Sequence, residues 1–471
     1  MKSKILILLA GMLFTLPVYS AKIRGSRVGA TATSAGFFVE AYSAQGRILF
    51  KSLKFDEEGK FVLEYSAKEP LLYWIDNFPV YIRSDEDLDI VLPEKNNTTF
   101  VLGGPADQKT ISPGMVNDSD IKIAGKSEIN NLLINQINAI WLSLGKEKDK
   151  SIADIGNLYL KVTKIIADSK GVEIKALGKF YNDIRYLESK LQYLRAHPDE
   201  TFPTGYFDLL SEISLNDPAI NTLKPIGIKA LVSNYYMFKR LGEGASIQDE
   251  DLTDNSSLGK MKFLLKTASN NRIIDEELNQ SIVYHLSIRG WNPELDKVIV
   301  STIEKTSNPE AKKNLIDLRE KYSKISKNSV APDFSIPDAS GKQVKLSDFR
   351  GKIVAIDVWA TWCVPCMHSL PYFLNLRDKY KDNQNIVFMS ISTDNDQSKS
   401  KWLKFLKSKN MNGVDLHAGD KSASAFEKAY NITGIPRYIL IDANGKIIED
   451  HAVAASEPEY EKLIETALKS K

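Results

Sequence analysis

Two cysteines carry the clearest chemical signal in this chain of 471 residues. Cys363 and Cys366 are its only cysteines, and they come shortly after the apolar run 353–359. Their spacing places both sulfur atoms on the first turn of one helix, where free backbone N–H groups stabilise a thiolate. The pair therefore predicts a dithiol that exchanges with disulfides.

Zinc binding and a purely structural disulfide are the alternatives for such a pair. A structural zinc site normally needs four ligands, but the chain has no second cysteine pair, and its five histidines form no H-x-x-x-H pair. A disulfide across two residues encloses a very small loop and constrains the unfolded chain little. We expect no metal and no cofactor other than the redox-active cysteines.

The residues around the cysteines resemble the active-site segment of thioredoxins. The segment 357–366, which contains WATWCVPC, carries the likeness, and Gly434-Ile435-Pro436 matches the cis-proline loop that faces the dithiol in that fold. The segments 330–334 and 346–352 resemble the first hairpin of TlpA/ResA-type proteins. Residues 330–471 are thus identified as a TlpA/ResA-type thioredoxin-like disulfide oxidoreductase domain, which implies an α/β thioredoxin fold.

This resemblance implies roles for the residues of the site. Cys363 is expected to attack a disulfide of a client protein, and Cys366 to resolve the mixed disulfide while Asp357 takes its proton. Asp357 lies within an apolar strand, and burial without a partner raises the pKa of a carboxyl group toward neutrality. A peptide bond before Pro436 in the cis form is also expected. The residues expected to meet the client are Trp362, Val364, Pro365, Ile435 and Pro436.

The site also departs from the family pattern. Many TlpA/ResA-type proteins have a Glu three residues after the second cysteine, where this chain has Ser369, and the lysine near the thioredoxin aspartate has no counterpart in 388–392. His368 follows Cys366 by two positions, which on a helix directs it to another face, so we expect it in solvent. Trp359 is expected to pack in the core.

Several functions fit a dithiol of this kind. The dipeptide Val364-Pro365 matches TlpA-type reductants and favours a reductase, with an isomerase or an oxidase as the alternatives. Peroxidase chemistry is a further alternative because Thr361 is present, although the upstream proline of peroxiredoxins is not. A protein that binds a peptide or glycan, with an incidental dithiol, is the alternative from another class. The expected partners are disulfide-bearing clients and a membrane thiol electron donor, with a role in antioxidant defence and cell redox homeostasis.

The first twenty residues predict export. Lys2 and Lys4 precede the apolar run 5–18, and small residues follow at Ser20 and Ala21, as in a cleaved secretory signal peptide. An uncleaved membrane anchor is the alternative. We expect a periplasmic location. A net charge of +2 and a hydrophobic content of 43% describe soluble globular material and give no indication of nucleic-acid binding.

Hydrophobic periodicity divides the remaining chain into three predicted domains. Residues 21–125 show short strand-like runs separated by turn residues, which predict an antiparallel β domain resembling a sandwich. The predicted strands are 36–42, 47–50, 60–65, 71–75, 80–82 and 89–92. Residues 126–328 change to a helical period, which predicts an α-helical middle domain. The polar, lysine-rich stretch 321–329 is interpreted as the link to the next domain. Residues 329–471 form the thioredoxin-like domain. The fold class is therefore multidomain, with β, helical and α/β parts in that order.

Overall fold

A computed structural model gives the fold, and it describes the residues whose ranges are given at the end of this paragraph. The predicted export segment, residues 1–20, lies outside the described residues. The chain divides into two compact units, of which the first covers the described parts of Met1–Asp249 and Ser269–Arg272, and the second those of Glu250–Ala268 and Ile273–Lys471. The described residues are 21–27, 38–43, 46–65, 71–75, 78–82, 87–92, 122–124, 128–145, 150–171, 174–197, 200, 202–203, 205–206, 213–246, 249, 252 and 257–470.

The first unit begins with two four-stranded sheets. One has the strand order β4-β1-β7-β8 and the other β3-β2-β5-β6. All described pairings in these sheets are antiparallel except that of β1 with β7, which is parallel. The strands are β1 (Ala21–Arg27), β2 (Phe38–Ser43), β3 (Gly46–Ser52), β4 (Lys60–Tyr65), β5 (Leu71–Ile75), β6 (Phe78–Ile82), β7 (Leu88–Leu92) and β8 (Lys122–Ala124).

Strand β1 was not predicted from the sequence, although it lies inside its sheet between β4 and β7. Its residues are mostly basic or small, so its sequence lacks the β-branched and aromatic pattern of a strand. The structure explains the glycine at position 25. A Cβ built on Gly25 would lie 2.6 Å from the carbonyl oxygen of Ile90 and from the ring of Phe61. Close approach of the neighbouring strands therefore requires glycine at this position.

Helices follow the strands in the first unit. Asn131 of the first helix is fully buried and bonds both backbone groups of Tyr81 in β6, accepting from its N–H at 2.7 Å and donating to its carbonyl oxygen at 2.8 Å. At the edge strand β6, the Asn131 side chain thus supplies the backbone hydrogen bonds that a neighbouring strand would otherwise make with Tyr81. The helices of this unit are α1 (Glu128–Gly145), α2 (Ile152–Asp168), α3 (Lys175–Ala196) and α4 (Pro225–Gly242), with a 3-10 turn at Pro218–Thr222.

The second unit opens with helices that begin at polar caps. Asn292 and Asn308 each accept backbone N–H groups at a helix start and are each followed by a proline at the first helical position, where the missing N–H has no intrahelical partner to lose. These elements are α5 (Leu258–Thr267), a π-helical segment (Ile273–Leu278), α6 (Asn279–Arg289), α7 (Pro293–Lys305) and α8 (Pro309–Ser323).

A five-stranded sheet with flanking helices forms the C-terminal part of the second unit. Its strand order is β13-β12-β11-β14-β15, with β11, β12 and β13 parallel and the last two strands antiparallel. This confirms the expected multidomain class with a C-terminal thioredoxin-type α/β fold. The elements are β9 (Ser335–Pro337), β10 (Gln343–Lys345), β11 (Ile353–Trp359), α9 (Val364–Lys379), β12 (Ile386–Ser392), α10 (Lys399–Ser408), β13 (Val414–His417), α11 (Gly419–Ala429), β14 (Arg437–Ile441), β15 (Ile447–Ala452) and α12 (Pro458–Lys469).

The central strand β11 is buried along its whole length. Successive side chains alternate between two cores, because side chains of a strand point to opposite faces. Ile356 and Val358 pack in one core, whereas Ala355 and Trp359 pack in cores that include residues of α9. Asp357 therefore belongs to the face of the sheet that α9 covers.

The polar segment 321–329, interpreted from sequence as a link between domains, packs closely against the sheet. Tyr322 and Ile325 are buried, and Ile325 is part of the same core as Ile356. Asn431 donates to the carbonyl oxygen of Lys321 at 3.2 Å. The sequence analysis did not predict the burial of Tyr322 and Ile325, because the lysines around them give the segment a polar composition.

Within the described residues, no helix has both the length and the apolar character needed to cross a bilayer.

Candidate active site

The two cysteines lie at the junction of β11 and α9. Cys363 is the N-cap residue of α9, and its backbone N–H donates to the carbonyl oxygen of Ala360 at 3.1 Å. The N–H of Cys366 donates to Sγ of Cys363 at 3.2 Å, and the two sulfur atoms are bonded at 2.01 Å. Pro365 lies in the first turn, where the helix has no backbone acceptor for its missing N–H. The helix start is thus directed at the sulfur of Cys363.

The exposed surface at the dithiol comes from its neighbours. The cysteines themselves are nearly covered, with 4% of Cys363 and 1% of Cys366 exposed. The side chains of Trp362 and Val364 are 64% and 65% exposed, and Pro365 is also exposed. A molecule that reaches Cys363 must therefore contact Trp362 and Val364.

The loop before β14 comes close to the dithiol. The Ile435–Pro436 peptide bond is cis, which confirms the prediction for Pro436. The carbonyl oxygen of Ile435 lies 3.7 Å from Sγ of Cys363, across 72 positions of sequence. Both loop residues are half-buried. The fold therefore places Ile435 and Pro436 beside Cys363, as the site prediction requires.

Asp357 is buried on the face of the sheet that α9 covers. It is 1% exposed, and its Oδ1 finds no hydrogen-bond partner among the described residues. Burial raises the pKa of Asp357 to about 8, since water no longer stabilises the charged carboxylate. Its neighbour across the antiparallel pair is Tyr438, whose pKa is raised by burial and further by the charge of Asp357. The group can therefore hold or accept a proton near neutral pH.

The positions that depart from the family pattern are occupied by uncharged groups. Ser369 is buried, accepts a hydrogen bond from the hydroxyl of Tyr438 at 2.8 Å and donates to the carbonyl oxygen of Cys366 at 3.3 Å. Phe388, in the region where thioredoxin has its lysine, packs against Phe373. Ser369 thus links α9 to β14 without adding a charge near Asp357.

His368, Trp359 and Thr361 are the other residues near the dithiol that the sequence analysis considered. His368 is exposed on α9, and Trp359 is fully buried, with its ring centroid 5.1 Å from that of Phe405. The hydroxyl of Thr361 donates to Oδ1 of Asp394 at 2.8 Å. This bond engages the hydroxyl on which a peroxidatic role for Thr361 would depend.

The sequence analysis missed a buried carboxylate beside the dithiol loop. Asp394 is fully buried and accepts hydrogen bonds from the backbone N–H of Thr361, at 2.9 Å, and from the hydroxyl of Ser392, at 2.7 Å, in addition to the Thr361 hydroxyl. A sequence signal exists, because Ser392 ends β12 and Asp394 follows it. The carboxyl end of β12 lies beside that of its parallel neighbour β11, from which the cysteine loop emerges.

Comparison with known proteins finds similarity over the C-terminal part. The Redoxin family model matches residues 326–464. ResA, a thiol-disulfide oxidoreductase of Bacillus thuringiensis subsp. konkukian, is 34% identical over 133 residues, which are 28% of this chain and 72% of that protein. ResA of Bacillus subtilis is 32% identical over 125 residues, 26% of this chain and 66% of that protein.

Solved structures of similar proteins match a comparable share of the chain. The thioredoxin domain of a thiol-disulfide oxidoreductase from Bacteroides vulgatus is 26% identical and covers 30% of this chain and 98% of its own, with a TM-score of 0.28. A thiol-disulfide oxidoreductase from Bacteroides fragilis is 28% identical and covers 29% of this chain and 99% of its own, with a TM-score of 0.26.

Proposed function

We propose that this chain, which belongs to the ResA family of thiol-disulfide oxidoreductases, reduces disulfides of client proteins outside the cytoplasm through Cys363 and Cys366. The observation that carries the proposal is the N–H of Cys366, which donates to Sγ of Cys363 at 3.2 Å at the start of α9. In the reduced enzyme this N–H and the helix dipole stabilise a thiolate on Cys363, and the thiolate is the form that attacks disulfides.

The first step forms a mixed disulfide. The thiolate of Cys363 attacks one sulfur of the client disulfide, the client S–S bond breaks, and the second client sulfur leaves as a thiolate that takes a proton from solvent. Trp362, Val364, Pro365, Ile435 and Pro436 supply the surface on which the client segment lies. Trp362 and Val364 suit this role because their apolar side chains are largely exposed beside a covered sulfur.

The second step releases the reduced client. Asp357 takes the proton of the Cys366 thiol, the Cys366 thiolate attacks Sγ of Cys363, and the client sulfur leaves with the bonding electron pair. With its pKa raised by burial to about 8, Asp357 is ionised in roughly a tenth of the molecules at pH 7, and in that form it is a stronger base toward the Cys366 thiol than an ordinary carboxylate. The client gains two electrons, and the enzyme ends with its disulfide formed.

Continued turnover requires a thiol donor. We infer that a membrane protein with a reduced dithiol returns two electrons to the Cys363–Cys366 disulfide by the same exchange. Export through the segment 1–20, which is cleaved near Ser20 or Ala21, brings the enzyme to the periplasm, where such a donor is needed because the compartment is oxidising. This arrangement supports antioxidant defence and redox homeostasis.

Two cysteine variants test the proposed roles. Cys366→Ser is expected to accumulate a mixed disulfide with a model disulfide-bearing protein, because the resolving thiol is absent, whereas Cys363→Ser is expected to abolish exchange. Non-reducing gels and mass spectrometry measure both outcomes. Exchange that survives Cys363→Ser removes the assignment of Cys363 as the attacking thiol.

The reduction potential tests the direction of electron flow. Equilibration against dithiothreitol or glutathione, with alkylation of free thiols, is expected to give a value near or below roughly −270 mV, as for thioredoxin. A value near roughly −120 mV marks an oxidant and overturns the proposed reductase. Client binding retained unchanged by a full-length variant lacking both cysteines would support the alternative of a binding protein.

A further inference from the structure

We propose that Asp394 is a positioning residue, which holds the loop before Cys363 through Thr361 and so keeps the sulfur of Cys363 at the start of α9. The proposal rests on the proposed function of Cys363 as the attacking thiol. It assigns to Asp394 no contact with the client or with the reacting sulfur atoms.

Three hydrogen bonds define the arrangement, which we call the Asp394 clamp. Oδ2 of Asp394 accepts from the backbone N–H of Thr361 at 2.9 Å and from the hydroxyl of Ser392 at 2.7 Å. Oδ1 accepts from the hydroxyl of Thr361 at 2.8 Å. Asp394 is fully buried and Ser392 is fully buried beside it. Both carboxylate oxygens are therefore used, and two of the three bonds hold one residue of the cysteine loop.

The clamp restrains a short loop through a side chain from another strand end. Residues 360–363 connect β11 to α9, and the N–H of Thr393 donates to the carbonyl oxygen of Trp359 at 2.8 Å at the beginning of this connection. Trp362, next to Thr361, is 64% exposed. Burial lowers the effective dielectric around the Asp394 bonds and strengthens them relative to bonds in water. Thr361 is thus the fixed point from which the chain reaches Cys363.

The position of Cys363 determines the reactivity of its thiolate. At the N-cap position, Sγ of Cys363 accepts the N–H of Cys366, and the effect of a helix start falls off within the first turn. A loop released from Asp394 samples other arrangements, in which this N–H donates to water. The thiolate fraction of the reduced enzyme then falls, and the reaction of Cys363 with an alkylating agent at pH 7 slows.

Two variants that keep the hydrogen bonds of the clamp are compared with two that remove them, so that an effect of hydrogen bonding is distinguished from an effect of the carboxylate charge. In Asp394→Asn the amide oxygen accepts the bonds now made to Oδ2, and the amide N–H donates to the Thr361 hydroxyl, which accepts as well as donates. Thr361→Ser keeps both donors of Thr361. Asp394→Ala removes all three bonds, and Thr361→Val removes only the hydroxyl bond at nearly constant shape.

Two nearby titratable groups, His417 and Asp357, bear on the pH range of the test. His417 is influenced by Asp394, by Asp396 and by Lys399, and its pKa is lowered overall by burial. Asp394 acts against this lowering, so its replacement does not raise the pKa of His417. Asp357, whose pKa is raised by burial to about 8, also titrates in the tested range, so each variant is compared with the parent protein at the same pH.

The test measures alkylation of Cys363 by iodoacetamide in the full-length, reduced protein between pH 6.5 and 9.5. A Cys366→Ser background leaves one thiol and retains the backbone N–H of residue 366. Asp394→Ala and Thr361→Val are expected to slow alkylation at pH 7 by about threefold to tenfold, up to the effect of one pKa unit on the thiolate fraction. Asp394→Asn and Thr361→Ser are expected to stay within about twofold of the parent.

The outcomes separate the clamp from other roles. Folded Asp394→Ala and Thr361→Val proteins that react at the parent rate at every pH overturn the proposal, and so does an Asp394→Asn protein as slow as Asp394→Ala, because that result assigns the effect to charge. If Asp394→Ala does not fold, the pair Thr361→Val and Thr361→Ser decides. The unsubstituted enzyme is also assayed for disulfide exchange. If it shows no exchange while the variants give the expected alkylation rates, the proposed function is refuted and the role of the clamp stands.

Discussion

Replacing Asp357 by asparagine removes a buried carboxyl group whose pKa is raised by burial to about 8. Asparagine has nearly the same shape and remains uncharged at every pH. The substitution is therefore expected to stabilise the folded protein at neutral pH, although it removes the group proposed to accept the proton of Cys366. Stability and turnover should change in opposite directions.

The sign and size of the effect follow from proton linkage. The folded protein keeps the Asp357 proton up to a pKa of about 8, whereas the unfolded chain releases it near 3.8. The unfolded state is thus favoured increasingly as the pH rises from 3.8 toward 8. Each pH unit in this interval contributes about 1.4 kcal/mol, so the folded state loses about 4 kcal/mol by pH 7 and less than about 1 kcal/mol at pH 4. The asparagine variant avoids this loss.

Hydrogen exchange measures this difference locally, as a chain of several domains requires. The opening free energy of the backbone amides in β11 is compared between the oxidised wild-type and Asp357→Asn proteins at pH 5 and at pH 7.5. The excess protection of the variant should grow between these values by about 3 kcal/mol. Asp378→Asn is the matched control on α9, because its side chain is 73% exposed and its removal should change little.

A pH-independent difference in β11 protection would refute the reasoning, as would a variant that is less protected than wild type at pH 7.5. Either result would mean that Asp357 is solvated or paired in the folded protein and does not retain its proton at neutral pH. In the same variant, release of the client from the mixed disulfide should be slower at pH 7, because Cys366 loses its proton acceptor. A stopped-flow measurement of single-turnover release checks this second result.

Three further substitutions test other parts of the molecule. Gly290→Ala should destabilise the second unit by about 2 kcal/mol or more in thermal unfolding. Gly290 has a φ of 72°, and a Cβ there would lie 2.9 Å from a carboxylate oxygen of Asp450. An unchanged melting temperature would contradict this contact. Asn131→Ala should lower the free energy of unfolding of the first unit by about 2–4 kcal/mol, since it removes two buried hydrogen bonds, those to the N–H and carbonyl groups of Tyr81. Equal exchange protection of β6 in both proteins would refute it. Trp362→Ala should change the free energy of unfolding by less than about 0.5 kcal/mol, because the side chain is 64% exposed. It should slow reduction of a protein disulfide more than reduction of a small aromatic disulfide. Equal slowing of both reactions would remove the role of Trp362 in client binding.

Much of the fold was accessible from local patterns in the sequence. The runs at 60–65 and 71–75 were predicted as strands and are β4 and β5 with those bounds. The change to a helical period was predicted near residue 126, and α1 begins at Glu128. These elements carry their own signal, because an apolar face repeats with the period of the strand or helix.

Elements defined by their neighbours were not accessible in this way. Strand β1 has few strand-forming residues, and it becomes a strand because β4 and β7 pair with its two edges. Asp394 was missed because its contact with Thr361 spans 33 positions. The position of Asp394 just after β12 places it at the carboxyl edge of the sheet, but it does not show which distant residue the carboxylate contacts.

The sequence by itself determined the chemistry of the site. Two cysteines, a proline and a helix start lie within a few residues of one another, and covalent spacing alone brings Cys363 and Cys366 onto one turn of α9. The tertiary structure decided the environment of that chemistry. It buried Asp357, placed Ile435 beside Cys363, and directed Asp394 at Thr361. Desolvation and contacts between distant segments exist only when the strands of the sheet have assembled, because both depend on which chain segments exclude water from a given side chain.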